Sequence, residues 1–482
     1  MKHKKLICIF ITCFLITFSR IGTAFAEGEQ TYDIGTYYQL GSYLDAPIVW
    51  KCIDNTDENG VLLVSDKILC YKAADVGKSN YLTNGYVIAG SNFWEETDIR
   101  AWLNSTAPAG DVVWPRGYPP EADRIFRSKY PYADEAGFLS EGNFTASELA
   151  VMKTVSQWQA LPEYKLELSE NGQTRPYLAT YTTGSDRDPY TLHHNTVSEF
   201  GDAFRGAMYR VTDTMFLLNE AQVYAMWQNF GIAGAKRTDT AAWAGAVDSE
   251  AAKYWPPAAD EVSVDEYSEY WLRTPALNRP FDYWSDSSGL TTIQGENGYM
   301  SALVNDKELG IRPAFYLNTD NVIIKSGSGT ETDPYVIDGN SVQTGVAVFS
   351  QGRQLTLDQA PVEENGRLLV PVRAVFESLG AEVNWDEAAN QVTAVKEDTT
   401  VQLEIDNATM VVNEAEVALE APARLIGDRT LVPLRAVSEA LDAKVVYVEN
   451  LQRVVVDQPE PMVFSPDWNP SWYQTIFQGW DD

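Results

Sequence analysis

The chain has 482 residues, with 36 basic residues against 68 acidic and a formal net charge of −32. That length predicts two or more domains, each large enough to bury a core. So acidic a chain repels nucleic acid and anionic lipid, which excludes both as favoured partners and suits a soluble exported protein.

Lys2, Lys4 and Lys5 open the sequence, residues 6–18 form an apolar run, and Ala24-Phe25-Ala26 places small residues where a signal peptidase reads. The run is short for a bilayer span, so residues 1–26 are expected to be a cleaved signal peptide. They hold four basic groups and no acid, and their removal takes the net charge from −32 to −36. No later stretch is apolar enough to span a membrane, so no membrane association is expected after cleavage. The expected location is extracellular or cell-wall-associated.

Residues 27–340 are rich in Trp and Tyr and read as short strands, helices and long loops. Ile48 to Ile53 and Val61 to Val64 flank an acidic turn and predict a hairpin. Cys52 and Cys70 are the cysteines left after maturation. Export permits a disulfide between them, and two buried free thiols are the alternative. A Gly/Ser break at 326–330 precedes a closing strand at 333–337, and 338–345 reads as a linker. Residues 341–458 form a second domain, and 459–482 an aromatic, acidic tail.

The second domain contains an internal repeat at an offset of 62 residues. L-V-P-V-R-A-V-F-E-S-L-G-A-E-V-N-W at 369–385 returns as L-V-P-L-R-A-V-S-E-A-L-D-A-K-V-V-Y at 431–447. Pro371/Pro433, Arg373/Arg435, Glu377/Glu439 and Trp385/Tyr447 keep register, which implies a self-contained module of two stacked units. Val372, Val375, Phe376 and Leu379 mark one helical face. Pro371 suits the entry and Gly380 the exit; an alternating strand follows at 381–385, and 453–456 has the pattern of a buried strand. Arg early and Glu late both oppose the helix dipole, and Arg before Glu at i,i+4 is the weaker order. Each Arg is therefore expected to reach out of its helix and pin helix to sheet.

These paired motifs resemble the domain named after the N-terminal domain of copper amine oxidases, a stalk-like unit of exported Gram-positive proteins. The resemblance implies a non-catalytic stalk or wall-associated module and no copper cofactor. Amine oxidase chemistry needs three histidine ligands, and the mature chain has only His193 and His194.

Residues 36–320 are similar to an uncharacterised domain of bacterial surface proteins. The similarity rests on Leu40-Gly41-Ser42-Tyr43, Ile99-Arg100-Ala101-Trp102-Leu103-Asn104, Trp271-Leu272-Arg273-Thr274-Pro275 and Gly310-Ile311-Arg312-Pro313-Ala314. The last two segments resemble the C-type-lectin-like core shared with formylglycine-generating enzymes. Those enzymes use paired cysteines late in the fold, and residues 260–320 contain none, so their catalysis does not carry over. The fold class expected is α+β: a loop-rich lectin-like mixed domain followed by a smaller α+β two-repeat stalk-like domain.

Trp271, Arg273, Trp284 and Arg312 are the candidate ligand-binding residues, a groove of Trp and Arg. The structural alternative is a buried aromatic beside arginines that bond backbone carbonyls. Trp243 and Trp255 join the aromatic set that would suit sugar faces. Weaker groupings are His193-His194 with Asp186 and Asp188, the hairpin acids Asp54, Asp57 and Glu58, and Asp282, Asp286 and Glu296, whose pairing would suit a glycosidase. No metal site and no cofactor are expected, and no catalytic residue stands out. The reading is a recognition domain for a cell-wall polymer or surface glycan on a stalk or anchor. A wall-acting hydrolase and a structural surface component are the alternatives.

Overall fold

Apolar alternation builds the first sheet. Strands β1 (Tyr37–Tyr43), β2 (Ala46–Asp57) and β3 (Gly60–Ser65) form an antiparallel meander. In β2, Ile48, Trp50 and Cys52 are buried while Val49 and Lys51 between them are half-exposed, so one face meets a core and the other does not. The expected hairpin is therefore present, its turn falling between Asp57 and Gly60. Trp50 stands edge-on to Phe315, with ring centroids 4.8 Å apart, and donates its indole N–H to Leu40 O at 2.9 Å.

The computed structural model describes residues 32–57, 59–75, 91, 93–115, 117–120, 132–160, 208–238, 267–275, 289–294, 298–303, 309–340, 345–350 and 353–457. The expected signal peptide and the aromatic tail lie outside these residues. Within them, β4 (Cys70–Lys72), α1 (Asp98–Leu103), α2 (Ala146–Ala150), β5 (Val155–Ala160), β6 (Met208–Asp213), β7 (Phe216–Leu217) and α3 (Glu220–Phe230) follow in order. After them come β8 (Tyr270–Pro275), β9 (Gly289–Gln294), β10 (Gly298–Leu303), β11 (Leu309–Ile311), β12 (Pro313–Tyr316), β13 (Val322–Ser326) and β14 (Tyr335–Gly339). A seven-stranded sheet runs β13-β14-β1-β2-β3-β12-β7, a five-stranded sheet runs β10-β9-β8-β11-β4, and β5-β6 is a separate hairpin. The architecture is mixed and strand-rich, with few helices.

Two of the buried charges in this region are ion-paired. Lys72 is fully buried, with Nζ 2.8 Å from both Glu135 oxygens and lying over the rings of Trp102 and Tyr132. Asp213 accepts from Trp94 Nε1 at 2.8 Å and Arg100 Nε at 2.7 Å, tying α1 to β6. Such pairs offset their own desolvation only while complete.

Cys52 and Cys70 are buried, and the bridge that export would permit is not formed between them. Burial pushes the Cys52 thiol up to about 12, which makes it a poor nucleophile at neutral pH.

The repeat region comprises β15 (Ala347–Ser350), β16 (Arg353–Gln354), β17 (Val362–Glu364), β18 (Arg367–Pro371), α4 (Val372–Ser378), β19 (Glu382–Asp386) and β20 (Gln391–Lys396). It continues with β21 (Thr399–Glu404), β22 (Thr409–Val412), β23 (Ala415–Ala418), β24 (Arg424–Ile426), β25 (Arg429–Pro433), α5 (Leu434–Glu439), β26 (Lys444–Val448) and β27 (Arg453–Asp457). Both helices begin directly after their prolines, and Gly380 takes φ +81° at the first helix exit, a conformation that favours glycine. The hairpin turns Asn365-Gly366, Asn413-Glu414 and Gly427-Asp428 have positive φ at both central residues, as a two-residue type I′ turn requires.

The units are interleaved rather than stacked. Strands β18 and β25 pair antiparallel as Leu369↔Pro433, Val370↔Val432 and Pro371↔Leu431. With an offset of 62 the first and last pairs exchange and the middle pair maps onto itself, so a pseudo-twofold axis passes between Val370 and Val432. Hairpin β15-β16 of the first unit joins β26-β27 of the second, while β22-β23 of the second unit reaches β19-β20 of the first through β21. Val375, Phe376, Leu403, Val432, Val437 and Val456 therefore share one core.

The helix arginines do not pin the helices. Arg373 meets Glu377 at 3.7 Å with both side chains more than half exposed, and Arg435 and Glu439 are also exposed. They lie on the side of each helix away from the buried stripe, in water. The inter-unit ties come from the hairpins: Arg367 pairs with Glu420 and Arg429 with Asp358, an exchange that obeys the same axis. Arg424 adds Glu364 at 2.7 Å and Asp406 at 2.6 Å. Trp385 and Tyr447, equivalent positions on the edge strands β19 and β26, are exposed at 40 % and 44 %.

Arg453 joins the repeat region to the sheets before it. The side chain is buried and donates Nη1–H to Met152 O at 2.8 Å and Thr154 Oγ1 at 2.9 Å, and Nη2–H to Leu149 O at 2.7 Å. Leu149 lies in the last turn of α2, so the guanidinium supplies partners to carbonyls that a helix C-terminus leaves open. Asn450 Nδ2–H to Asn104 O at 2.6 Å and Asn318 Nδ2–H to Gln354 Oε1 at 3.0 Å flank it. The described residues from Asp33 onward accordingly form one compact unit.

Replacing Arg453 with Met should lower unfolding free energy by roughly 3–5 kcal/mol, since buried acceptors lose a charged donor; denaturant melts of the full chain check this. Ser438 offers the opposite test. Its hydroxyl is buried without a partner among the described residues, where the first unit has Phe376. Ser438→Ala should raise stability by about 1 kcal/mol in the same melts.

Candidate functional site

The segments holding Trp271, Arg273 and Arg312 are neighbours in space. Strand β8 carries Trp271 and Arg273, and it pairs parallel with β11 at Gly310↔Tyr270. Arg312 sits where the chain passes from β11 in one sheet to β12 in the other. Strand β8 lies between β9 and β11, and its residues from Tyr270 to Arg273 are all buried, the pattern of a strand covered on both faces.

Burial decides what these side chains can do. Trp271 donates its indole N–H to Lys72 O at 2.9 Å. Arg273 donates Nη2–H to Gln157 Oε1 at 2.9 Å and Gln222 Oε1 at 3.3 Å, and its guanidinium lies 5.1 Å from the Phe216 ring centre. Gln222 closes the capping box of α3 with Asn219 and donates to Tyr316 Oη at 3.2 Å. Arg312 donates Nε–H to Ser65 O at 2.8 Å and Nη1–H to Tyr270 Oη at 3.4 Å. The three are internal struts, and none lines an open groove. Trp284 lies outside the described residues, as do Trp243, Trp255, His193, His194, Asp186, Asp188, Asp282, Asp286, Glu296 and Glu58. Asp54 and Asp57 spend their carboxylates on Thr56 and Asn59 in the hairpin turn. Among the described residues no three His, Cys, Asp or Glu side chains gather as a metal site.

Arg312 leads outward to a cluster that sequence reading does not find. Tyr37 and Lys51 are direct cross-strand partners of β1 and β2, on the half-exposed face. Helix α3 packs on β2, and Asn229 Nδ2–H to Ile53 O at 3.0 Å fixes its last turn. Phe230 there sets its ring centre 3.7 Å from Lys51 Nζ, while the Tyr37 ring lies at 5.3 Å. Asp66 follows β3, its N–H donating to Val49 O at 2.8 Å, and Glu331 belongs to the turn closed by Thr330 and Asp333.

The charges of this cluster act on one another without closing into ion pairs. Burial raises the Asp66 carboxyl above its usual range, with Arg312 opposing and Glu331 reinforcing the shift. Burial likewise lowers the Lys51 ammonium against the pull of Asp66, and burial with Asp66 and Glu331 pushes the Tyr37 phenol up to about 12. Among the described residues none of these three polar ends makes a hydrogen bond. Perturbed, half-buried groups of both signs converging from separate segments mark a functional-site candidate. Its members come from β1, β2, the end of β3, the end of α3 and the turn before β14. Tyr37, Lys51 and Asp66 are each more than ten residues from the next, and Phe230, Arg312 and Glu331 lie far beyond them, so no motif announces the cluster.

Residues 349–456 match the family model for the copper amine oxidase N-terminal domain. The matched span runs from β15 to β27 and so coincides with the pseudo-symmetric region. It contains neither histidine nor cysteine, a donor set that does not fit copper. No curated protein matches the chain.

Asp66 makes a pH test. Its folded-state value lies above the ordinary 3.8, so the stability tied to its neutral form is present below that value and is lost as pH rises through the folded value. Asp66→Asn should therefore raise the melting temperature at pH 7, with the gain vanishing below about pH 4.

Proposed function

We propose that the chain is a secreted, cell-wall-associated, non-catalytic recognition protein. In this reading residues 27–340 are a lectin-like α+β domain that meets a wall polymer or surface glycan, and the α+β repeat module is its stalk or anchor. The basic start, the apolar run and Ala24-Phe25-Ala26 support export. The family match at residues 349–456 supports the module's role.

One observation carries the recognition half: the half-buried Tyr37, Lys51 and Asp66 ends, held beside Phe230, make no hydrogen bonds of their own among the described residues. Polar groups partly removed from water gain most from a ligand that supplies their missing partners. The Arg453 contact supports reading the stalk or anchor module as fixed to the recognition domain.

Co-sedimentation of the chain from residue 27 to 482 with purified Gram-positive cell walls tests the reading. The expected outcome is recovery in the wall pellet with no soluble sugar released. Protein left in the supernatant would refute wall association, and released sugar would replace recognition with hydrolysis. The chain should be used whole, because cutting at residue 340 would strip Arg453 from its carbonyl partners.

A further inference from the structure

We infer that the Tyr37–Lys51–Asp66–Phe230 cluster is a subsite for an uncharged sugar residue, whose neighbouring hydroxyls lie between Lys51 and Asp66. This inference rests on the recognition reading above and gives its ligand a chemistry.

The first ground is the balance of sign. Lys51, Arg312 and Lys67 would oppose a cation, and Asp66 and Glu331 would oppose an anion: Asp66 feels both lysines, Arg312 and Glu331, and Lys51 feels Asp66, Arg312 and Glu331. A ligand of single charge thus gains from one group and loses to the other. A hydroxyl both donates and accepts, so two adjacent hydroxyls can accept from the Lys51 ammonium and donate to the Asp66 carboxylate. The overall charge of −32 further disfavours polyanions.

Geometry is the second ground. Lys51 does not swing to an acid: Phe230 and Tyr37 hold its ammonium by their ring faces, at 3.7 and 5.3 Å. Ring faces engage a cation without using all of its three N–H donors. The same rings form an apolar flank of the kind that C–H-rich sugar faces contact. The frame beneath is rigid, because Tyr37 and Lys51 share a sheet register and Tyr37 N–H donates to Gly329 O at 2.9 Å.

The test is an immobilised array of neutral and acidic oligosaccharides, probed with residues 27–482 and with Lys51→Gln, Asp66→Asn and Arg373→Lys. Thermal melts confirm that each variant is folded. The expected result is binding to neutral glycans that falls about tenfold or more in Lys51→Gln and Asp66→Asn, the loss of one charge-assisted hydrogen bond each. Arg373→Lys, on the distant module, should bind as the parent does. Neutral-glycan binding unchanged in both cluster variants would overturn this site and leave the recognition reading standing. Binding confined to acidic glycans would overturn the ligand class. Sedimentation with walls but no glycan binding would overturn the sugar assignment alone, and failure of both assays would overturn the inference together with the reading it rests on.

Discussion

One buried guanidinium organises the relation between the parts of this protein. Arg453 begins the last strand of the repeat region, yet its donors serve the end of a helix some three hundred residues earlier. Burial lowers its affinity for the proton, to about 10, and leaves it charged at neutral pH. A buried charge is tolerable only where acceptors surround it, and a short helix with open carbonyls needs a donor. Each requirement answers the other, so neither region presents a satisfied surface alone. A structural role usually assigned to a linker is thereby carried by a side chain.

The repeat region shows how duplication yields more than two copies. Had the units stacked, each would carry its own core and the interface would be an addition. Pairing β18 with β25 about a pseudo-twofold axis instead puts both helices and strands of both units around one core. The reciprocal pairs Arg367–Glu420 and Arg429–Asp358 follow from that axis. Exposed as they are, they contribute little stability individually; they fix which hairpin lies beside which. The family resemblance thus describes an interlocked unit whose residues lack the donors for copper.

Much of this was legible in sequence where the signal is local. The apolar stripe Val372, Val375, Phe376 and Leu379, the prolines at both helix starts and the hairpin around Asp57 each obey a short period or a turn rule, and each is present. The interleaving was not legible, because a 62-residue offset gives equivalence without saying which copy pairs with which. Arg373 and Arg435 misled for a related reason. Their recurrence suggested a structural duty, whereas the duty fell on Arg367 and Arg429, which repeat less conspicuously, and on Arg424 and Arg453, which have no arginine at the equivalent position. At the site, Trp271, Arg273 and Arg312 drew notice as large side chains in a motif and proved to be internal. Tyr37, Lys51, Asp66 and Phe230 are ordinary residues brought together by cross-strand register and helix packing, which single-sequence patterns do not encode.

Strands β15 and β27 lie at the two ends of the repeat region and run parallel through four registered pairs, from Ala347↔Arg453 to Ser350↔Val456. A pull applied between the preceding domain and the chain beyond Asp457 would load those pairs in shear, all at once, rather than peel them one by one. Under such a load, entry and exit side by side would act as a mechanical clamp. Force would have to break that clamp before it reached the core.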